Sequence, residues 1–591
     1  MRGNEQGKNP GQGRDYFTRR MFRRQYLPAL ISAITLSASD MADSVVVGNS
    51  NLGLLGLAAM SFALPIFMVY NVIMHSFGLG GSIRYAGQMA RGEEEEASAG
   101  FRGVVYTLVL TGVGIALLGN MLLTPLQRLL GVNMNSRELV AATGTYLRLL
   151  LCSAPLFFLS YSLGYYMRNA DMEKAASICA SVGNIVDVGM NALLVLVFRL
   201  GVLGAGIGTL CGPLITSLLE LIILYRRKTT LRVFGGKADF SRVLRSFRMG
   251  FSSSVSYAYA LVHIVICNNL LMRISGEQGV AVFDVIQNIS YFFSYIYGAA
   301  GQAAQPILST YGGEYNQEGS RVLQRMGLRV ALQVGILPAA LMSIFAPQVC
   351  RFFGLIYPAA VNLGSWAIRM FCLSTMLGGI HSLLAGYRLA RGEEFPAFIS
   401  TTLRGAVVLI PVTILFSFFG ERRFWLLYPV TECIALLLFL LFLRRRGDRH
   451  SIDPERIYRA ELRDRVEDVG RVTEEIGEFC EKWEASIKQQ YFVRMTVEEV
   501  CSAIIVNGFG KGKDENGIIQ VTLVAGEDGI FTLHVRDSAV AFNPFGMEKA
   551  DLKNDGDALD FNAVGMDVIK KRSREFYYRR YQGFNTMVVK V

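Results

Sequence analysis

Apolar residues gather into windows of about 20 through the first three quarters of the chain, the length that crosses a bilayer as a helix. The windows lie near 26–47, 54–78, 102–124, 139–167, 175–197, 203–225, 249–272, 280–308, 324–346, 360–387, 396–418 and 424–443. They predict twelve transmembrane helices. From about residue 451 the pattern changes. The stretch SIDPERIYRAELRDRVEDVGRVTEEIGEFCEKW reads as a charged amphipathic helical region, and IIQVTLVAG, IFTLHVRDS and FNTMVVKV then alternate as strands do. A folded α+β domain of about 130 residues therefore follows the membrane part.

Composition supports the division. Of 591 residues, 52% are hydrophobic and 18% charged, with mean hydropathy +0.34, too apolar for a soluble chain of this length. Residues 1–450 carry 39 Lys+Arg against 23 Asp+Glu, whereas residues 451–591 carry 20 against 25. The high pI thus belongs to the membrane part, where basic residues set orientation, and nucleic-acid binding is not expected. The polar head with Arg14, Arg19, Arg20, Arg23 and Arg24 lacks the short apolar core of a cleaved signal, so it reads as an uncleaved cytoplasmic lead-in. Nine scattered cysteines without a CxxC pair support neither a disulfide framework nor a zinc site.

Basic residues follow the even-numbered spans: Arg84, Arg91 and Arg102 after the second, Arg168 and Lys174 after the fourth, eight of them from Arg226 to Arg248 after the sixth, Arg321 and Arg325 after the eighth, Arg388 and Arg391 after the tenth, and Arg444 to Arg446 after the twelfth. Opposite connections such as NSNLGLLG and SGEQG are poor in charge, with GERRF an exception. The expectation is a multi-pass protein of the cytoplasmic membrane with both termini in the cytoplasm. The most basic connection divides the spans six and six. FGLGGSIRYAGQMARGEEEEA after the second span and YGAAGQAAQPILSTYGGEYNQEG after the eighth echo each other, an internal repeat of the kind that lets transporters alternate access. The expected organisation is a head (1–25), a first lobe (26–225), a linker (226–248), a second lobe (249–445), a linker (446–460) and the C-terminal domain (461–591).

Asp43-Ser-Val-Val-Val-Gly48 resembles the D-x-x-x-x-G that ends the first helix of multidrug and toxic compound extrusion (MATE) transporters. LGVLGAGIGT (200–209), QPILSTYGG (305–313) and LRGAVVLIP (403–411) follow in the family's order. The likeness covers roughly residues 20–445. It implies an all-α polytopic membrane protein with twelve transmembrane helices in two six-helix lobes, which exports a small organic compound, often cationic, in exchange for Na⁺ or H⁺.

The acids inside the membrane carry the chemistry. An ionised carboxylate at the bilayer centre costs roughly 2.5 kcal/mol or more, so it must face a wet or paired interior. Asp40 and Asp43 share a face of the first span; in the fifth, Asp187 and Asn191 stand four apart with Asn184 a turn earlier; the sixth adds Thr209. The resemblance implies a first-lobe cation site at Asp43, Asp187, Asn191 and Thr209, with the family's span-five Asn and Asp exchanged. Oxygen ligands of this kind suit Na⁺, and paired carboxylates suit H⁺. Asp40, Asn184 and the span-seven His263 are auxiliary candidates; Asp284 lies near the start of span eight and reads as interfacial. The rings of span eight, Tyr291 to Tyr297, suit an organic cation or simple packing.

The C-terminal domain resembles the ATP-binding domain of anti-sigma-factor serine kinases, of the GHKL (Bergerat-type) ATPase superfamily, through VEEVCSAIIVNGFG, RDSAVAFNPF and AVGMDVIKK. The resemblance implies ATP or ADP with Mg²⁺ and a partner of the sigma-factor or anti-anti-sigma type. It puts Glu498 at the catalytic base, with Glu499 the alternative if the frame slips by one. Ser502 stands where an Asn would hold Mg²⁺, with Asn507 a substitute, Asp537 at the adenine and Gly565 in the phosphate loop. Ala539 and Ala563 replace motif glycines. The altered motifs favour a regulator over an efficient kinase. Two functions follow: a cation-coupled antiporter tuned by its cytosolic domain, or a transporter-like sensor that signals through it. Flipping of a lipid-linked precursor would ask for a more basic cavity than Arg168, Arg273 and Arg369 provide.

Overall fold

In the computed structural model the described residues are all except 1–15, 91–93, 171, 228–230, 242, 314–316, 391–392, 447–453, 464, 510–516, 527, 541, 544–560 and 582–583. Among them, eleven helices are long and apolar enough to cross a membrane. In order they comprise α1 (Tyr16–Gly48), α2 (Gly53–Ile73), α3 (Glu94–Met121), α4 (Arg137–Asn169), α5 (Glu173–Ala192) and α6 (Val202–Arg226), then α7 (Val243–Gly313), α8 (Gln317–Ile344), α9 (Pro358–Ala390), α10 (Glu394–Thr402) and α11 (Leu427–Arg446). Wider π turns extend three of these, at Met74–Leu79 after α2, Leu193–Val197 after α5 and Leu403–Val408 after α10.

Twelve predicted spans become eleven helices because α7 is two arms joined at Gly276, whose φ of 59° only glycine adopts freely. At the reversal a side chain on Gly279 would meet Ser275 and the Leu271 carbonyl. The first helix also starts earlier than its apolar window: Tyr16 to Gln25 are helical although basic, and Phe17 and Phe22 are buried.

The lobes meet along α1, α2 and the two arms of α7. Ser61 Oγ donates to Asn268 Oδ1 at 3.0 Å, and Asn268 returns a 2.9 Å bond to the Ser61 carbonyl. Asn288 Nδ2 donates to Ser44 Oγ at 2.9 Å. In hydrocarbon such side-chain pairs help hold helices together, because lipid is as apolar as the leucines around them.

The C-terminal domain has β1 (Ile457–Arg463), α12 (Val466–Lys482), α13 (Ile487–Ala503), β2 (Ile518–Ala525), β3 (Phe531–Asp537), α14 (Phe561–Arg572), β4 (Glu575–Tyr581) and β5 (Phe584–Lys590). The sheet is wholly antiparallel in the order β1-β2-β3-β5-β4. Ile457–Arg463 corrects the sequence reading, which ran a linker to 460 and a helical region through it. IYRAELR has the alternation of a half-buried strand, and pairing with β2 decides between the two periods. Val521, Leu523, Leu533, Val535, Met587 and Val589 point to one face and pack under Val472, Ile476, Val493 and Val497. A capping box between Ser486 and Gln489 starts α13.

The other sheet face carries Thr522, His534, Arg536 and Thr586, which are also buried. Part of its cover is the membrane part. The Phe584 ring lies 5.1 Å from Phe17 at the start of α1, the Arg20 guanidinium 5.9 Å from Phe584, and the Arg536 guanidinium 5.4 Å from the Tyr311 ring at the end of α7. Thr18 and Tyr311 are themselves hydrogen-bonded at 2.7 Å. The domain thus rests where the start of α1 meets the end of α7.

Candidate functional site

Close approach of α5 and α6 builds the site. A Cβ on Gly208 would strike the Asn191 amide, and one on Gly212 would lie 2.9 Å from Asp187 Cβ. Only glycine leaves room there for those two polar side chains. They are held at the level of Asp43. Asn191 Nδ2 donates to Asp43 Oδ1 at 2.6 Å and to Asp187 Oδ1 at 3.2 Å, so one amide bridges two carboxylates from different helices. Asn191 is almost wholly buried and its Oδ1 has no hydrogen-bond partner. The π turn at Leu193–Val197 begins two residues beyond Asn191, the kind of local widening that recurs at functional sites.

Thr209 follows Gly208 on α6, the helix that faces Asn191. It is buried, its hydroxyl donates to the Ala205 carbonyl at 3.0 Å, and the buried Tyr146 hydroxyl bonds to it. Two carboxylates bridged by one amide, with a hydroxyl on the facing helix, offer oxygens of the kind that suit a hard monovalent cation or a proton. The exchanged order of Asp and Asn on α5 leaves both side chains within reach of Asp43.

The auxiliary candidates divide. Asp40 faces the cleft between the lobes, where Tyr295 Oη donates to its Oδ2 at 2.6 Å. Asn184 is exposed on α5. His263 is buried in the second lobe between Cys267 Sγ at 3.2 Å and Thr413 Oγ1 at 3.3 Å, and joins none of the first-lobe residues. Asp284, expected at the interface, is instead fully buried at the lobe seam beside Asn288, which donates to its Oδ2 at 3.2 Å. The burial follows from the tight reversal at Gly276, which draws the start of the second arm against α1.

Sequence reasoning missed two acids. Glu432 on α11 pairs with Arg404 at 2.7 Å, and Glu220 on α6 is buried. Both stand within apolar runs, where an acid is itself a signal.

In the C-terminal domain, Glu498 is exposed while its neighbour Glu499 packs on Gly565, so the one-residue shift of frame brings an acid to the glycine that the resemblance puts in the phosphate loop. Ser502 lies one turn beyond Glu499. Asn507 falls in a π turn, Ile504–Phe509, whose Gly508 packs on Ala539. Asp537 is fully buried; its Oδ1 accepts from Ala539 N at 2.9 Å and Asn585 Nδ2 at 2.7 Å, and its Oδ2 has no partner. Burial pushes its carboxyl up to about 6. Glu499 against Gly565, with Ser502 rather than an amide one turn on, does not fit the Mg²⁺-assisted phosphoryl transfer that the resemblance implies. The side chain of Ala563 and residues 546–560 of the polar stretch between RDSAVAFNPF and AVGMDVIKK lie outside the described residues.

Comparison with known proteins agrees with the membrane part. Residues 28–193 match the family model described as MatE. The multidrug export protein MepA of Staphylococcus saprophyticus is 22% identical over 69% of this chain and 92% of its own length. The probable multidrug resistance protein YoeA of Bacillus subtilis is 22% identical over 70% and 90%. The structure described as the inward-facing conformation of a multidrug resistance MATE family transporter of the MOP superfamily superposes with a TM-score of 0.64 at 21% identity, covering 71% of this chain and 97% of that one.

Proposed function

We propose that this chain, whose membrane part is that of a MATE-family transporter, is a secondary antiporter that exports small organic compounds across the cytoplasmic membrane in exchange for Na⁺ or H⁺. Both termini lie in the cytoplasm, and the C-terminal domain is a regulatory module of the GHKL type that answers to a nucleotide or a protein partner. The observation that carries the transport reading is the Asn191 amide held between Asp43 and Asp187. Two carboxylates in a membrane interior repel each other unless a positive charge joins them, so cation binding stabilises the pocket and cation release loosens it. Asp43 lies on α1, whose next residue, Ser44, bonds to Asn288 of the other lobe. Occupancy in the first lobe thereby bears on the seam about which the lobes rock. The names of MepA and YoeA, both multidrug proteins, support an organic substrate.

The test is efflux of a fluorescent organic cation, ethidium, from proteoliposomes under an imposed Na⁺ or pH gradient. Asp43→Asn abolishes gradient-driven efflux while the protein stays folded, and retained coupling would exclude this site.

A second reading has its own support. The sheet of the C-terminal domain touches the ends of α1 and α7 through Phe584 and Arg536, a physical route by which ligand occupancy reaches the domain. A sensor that sequesters or releases a sigma-factor-type partner would use that route outward. Removal of the residues after Arg446 separates the two: an exporter keeps transport and loses its regulation, whereas a sensor loses its signal and has no transport to keep.

A further inference from the structure

The α5–α6 seam continues past the candidate cation site with a regular register. Asn191 meets Gly208, Asp187 meets Gly212, and Gly183 meets Thr216, each pair four residues on from the last. The next pair is Cys179 and Glu220, which interact. Eight residues of helix separate Asp187 from Cys179, about 12 Å, so Glu220 stands on the same line, towards the end of the membrane that bears the basic loops.

Glu220 is 1% exposed and its Oε2 is buried without a hydrogen-bond partner. Gly164 of α4 closes over its Oε1: a Cβ there would lie 3.3 Å from that oxygen. The titratable and charged groups that face it are Cys179 on α5 and Arg168 at the end of α4, with no ion pair formed among the described residues. Its own helix offers Thr216 one turn earlier, whose hydroxyl donates to the Gly212 carbonyl at 3.0 Å. An unpaired carboxylate so placed is costly as an anion and cheap as a neutral acid. A metal ion would need several oxygens where the pocket has one carboxyl, a thiol and a glycine. A proton needs only the carboxyl.

We propose that Glu220 is a second proton-binding station of the first lobe, passing protons between the Asp43–Asp187 site and the cytoplasm. The step is a transfer of H⁺ alone: an O–H bond forms on Glu220 as one breaks on the donor, water or the acid above it, and no electrons are exchanged. Thr216 lies between the two acids and Cys179 beside Glu220, as the polar groups of the path. The relay rests on the reading of Asp43 and Asp187 as the coupling site.

Two measurements on the full-length protein test it. Infrared spectra of the purified protein at pH 7 carry a protonated-carboxyl band that is lost in Glu220→Gln and kept in Asp43→Asn; identical spectra for wild type and Glu220→Gln would overturn the station. In proteoliposomes under a pH gradient, Glu220→Gln slows ethidium efflux at least tenfold while eluting as the wild-type protein does on gel filtration, and Glu220→Asp recovers most of the rate. Efflux within twofold of wild type in Glu220→Gln overturns the proposal whatever Asp43→Asn does. Loss in Glu220→Gln with coupling retained in Asp43→Asn upholds Glu220 and removes Asp43 instead.

Discussion

The hydroxyl of Tyr295 donates a 2.6 Å hydrogen bond to Asp40, so a ring on the second arm of α7 holds a carboxylate on α1 across the cleft between the lobes. Any motion that parts the lobes on this side breaks the bond. Hydrogen bonds to charged groups are worth about 1.5–3 kcal/mol, less where water competes. Tyr295→Phe should therefore shift the balance between closed and open cleft about tenfold. Spin-label distances across the cleft read that shift, and an unchanged distribution would mean that the bond is incidental.

Gly208 predicts the tolerance of the site. A methyl group at this position displaces Asn191, whereas Gly189, on the same α5 helix, faces open space. Gly208→Ala should lower apparent affinity for the coupling cation tenfold or more, with overpacking costing about 1–3 kcal/mol of stability. Gly189→Ala should leave both within experimental error. The pair separates a defect of the pocket from a general intolerance of larger residues in α5 and α6.

Among the described residues, Arg536–Tyr311 and Phe17–Phe584 are contacts that dock the C-terminal domain. The Arg536–Tyr311 contact is worth about 0.5–1 kcal/mol, and the Phe17–Phe584 edge contact about 0.5–1.5 kcal/mol. Arg536→Ala with Phe584→Ala should weaken docking five- to fifty-fold. Limited proteolysis would then release the C-terminal fragment faster by a similar factor. Unchanged cleavage would place the main attachment elsewhere.

The domain also carries two opposed pH dependences. Burial, with Arg536 and Lys590 nearby, pushes His534 down to about 4, so the folded domain holds it neutral. Its contribution is present above the unfolded value of about 6.5 and is lost as pH falls towards 4. Asp537, pushed up to about 6 by burial, acts in the other direction. Its contribution is complete below about 4 and is lost as pH rises through 6. Each is of the order of 3 kcal/mol, and between pH 4 and 6 they offset. In melting experiments on the full-length protein, His534→Gln should therefore gain stability of the C-terminal domain on acidification from pH 6.5 to 4.5, and Asp537→Asn should lose it more steeply than wild type. Parallel profiles for all three proteins would contradict the assignment.

Much was legible in the chain itself. The apolar windows gave the membrane crossings because a bilayer demands about 20 uninterrupted apolar residues. The acids at 43 and 187 stood out for the same reason, since hydrocarbon disfavours a carboxylate that nothing uses, and Glu220 carried the same signal without being singled out. Spacing of four put Asp187 and Asn191 on one face of α5 before any contact was known.

What the sequence left open was which polar group meets which. Asp40 and Asp43 look equivalent one turn apart, yet one faces Tyr295 in the cleft and the other Asn191 in the lobe, a difference set by the rotation of α1 against two neighbours. Asp284 became a core residue through the tight reversal at Gly276. Ile457–Arg463 became a strand because β2 supplied an edge for it, an influence that no local pattern records. Periodicity is a property of one helix or strand alone, and so the chain determined its elements. Packing is a property of pairs, and only the tertiary structure decided the partners.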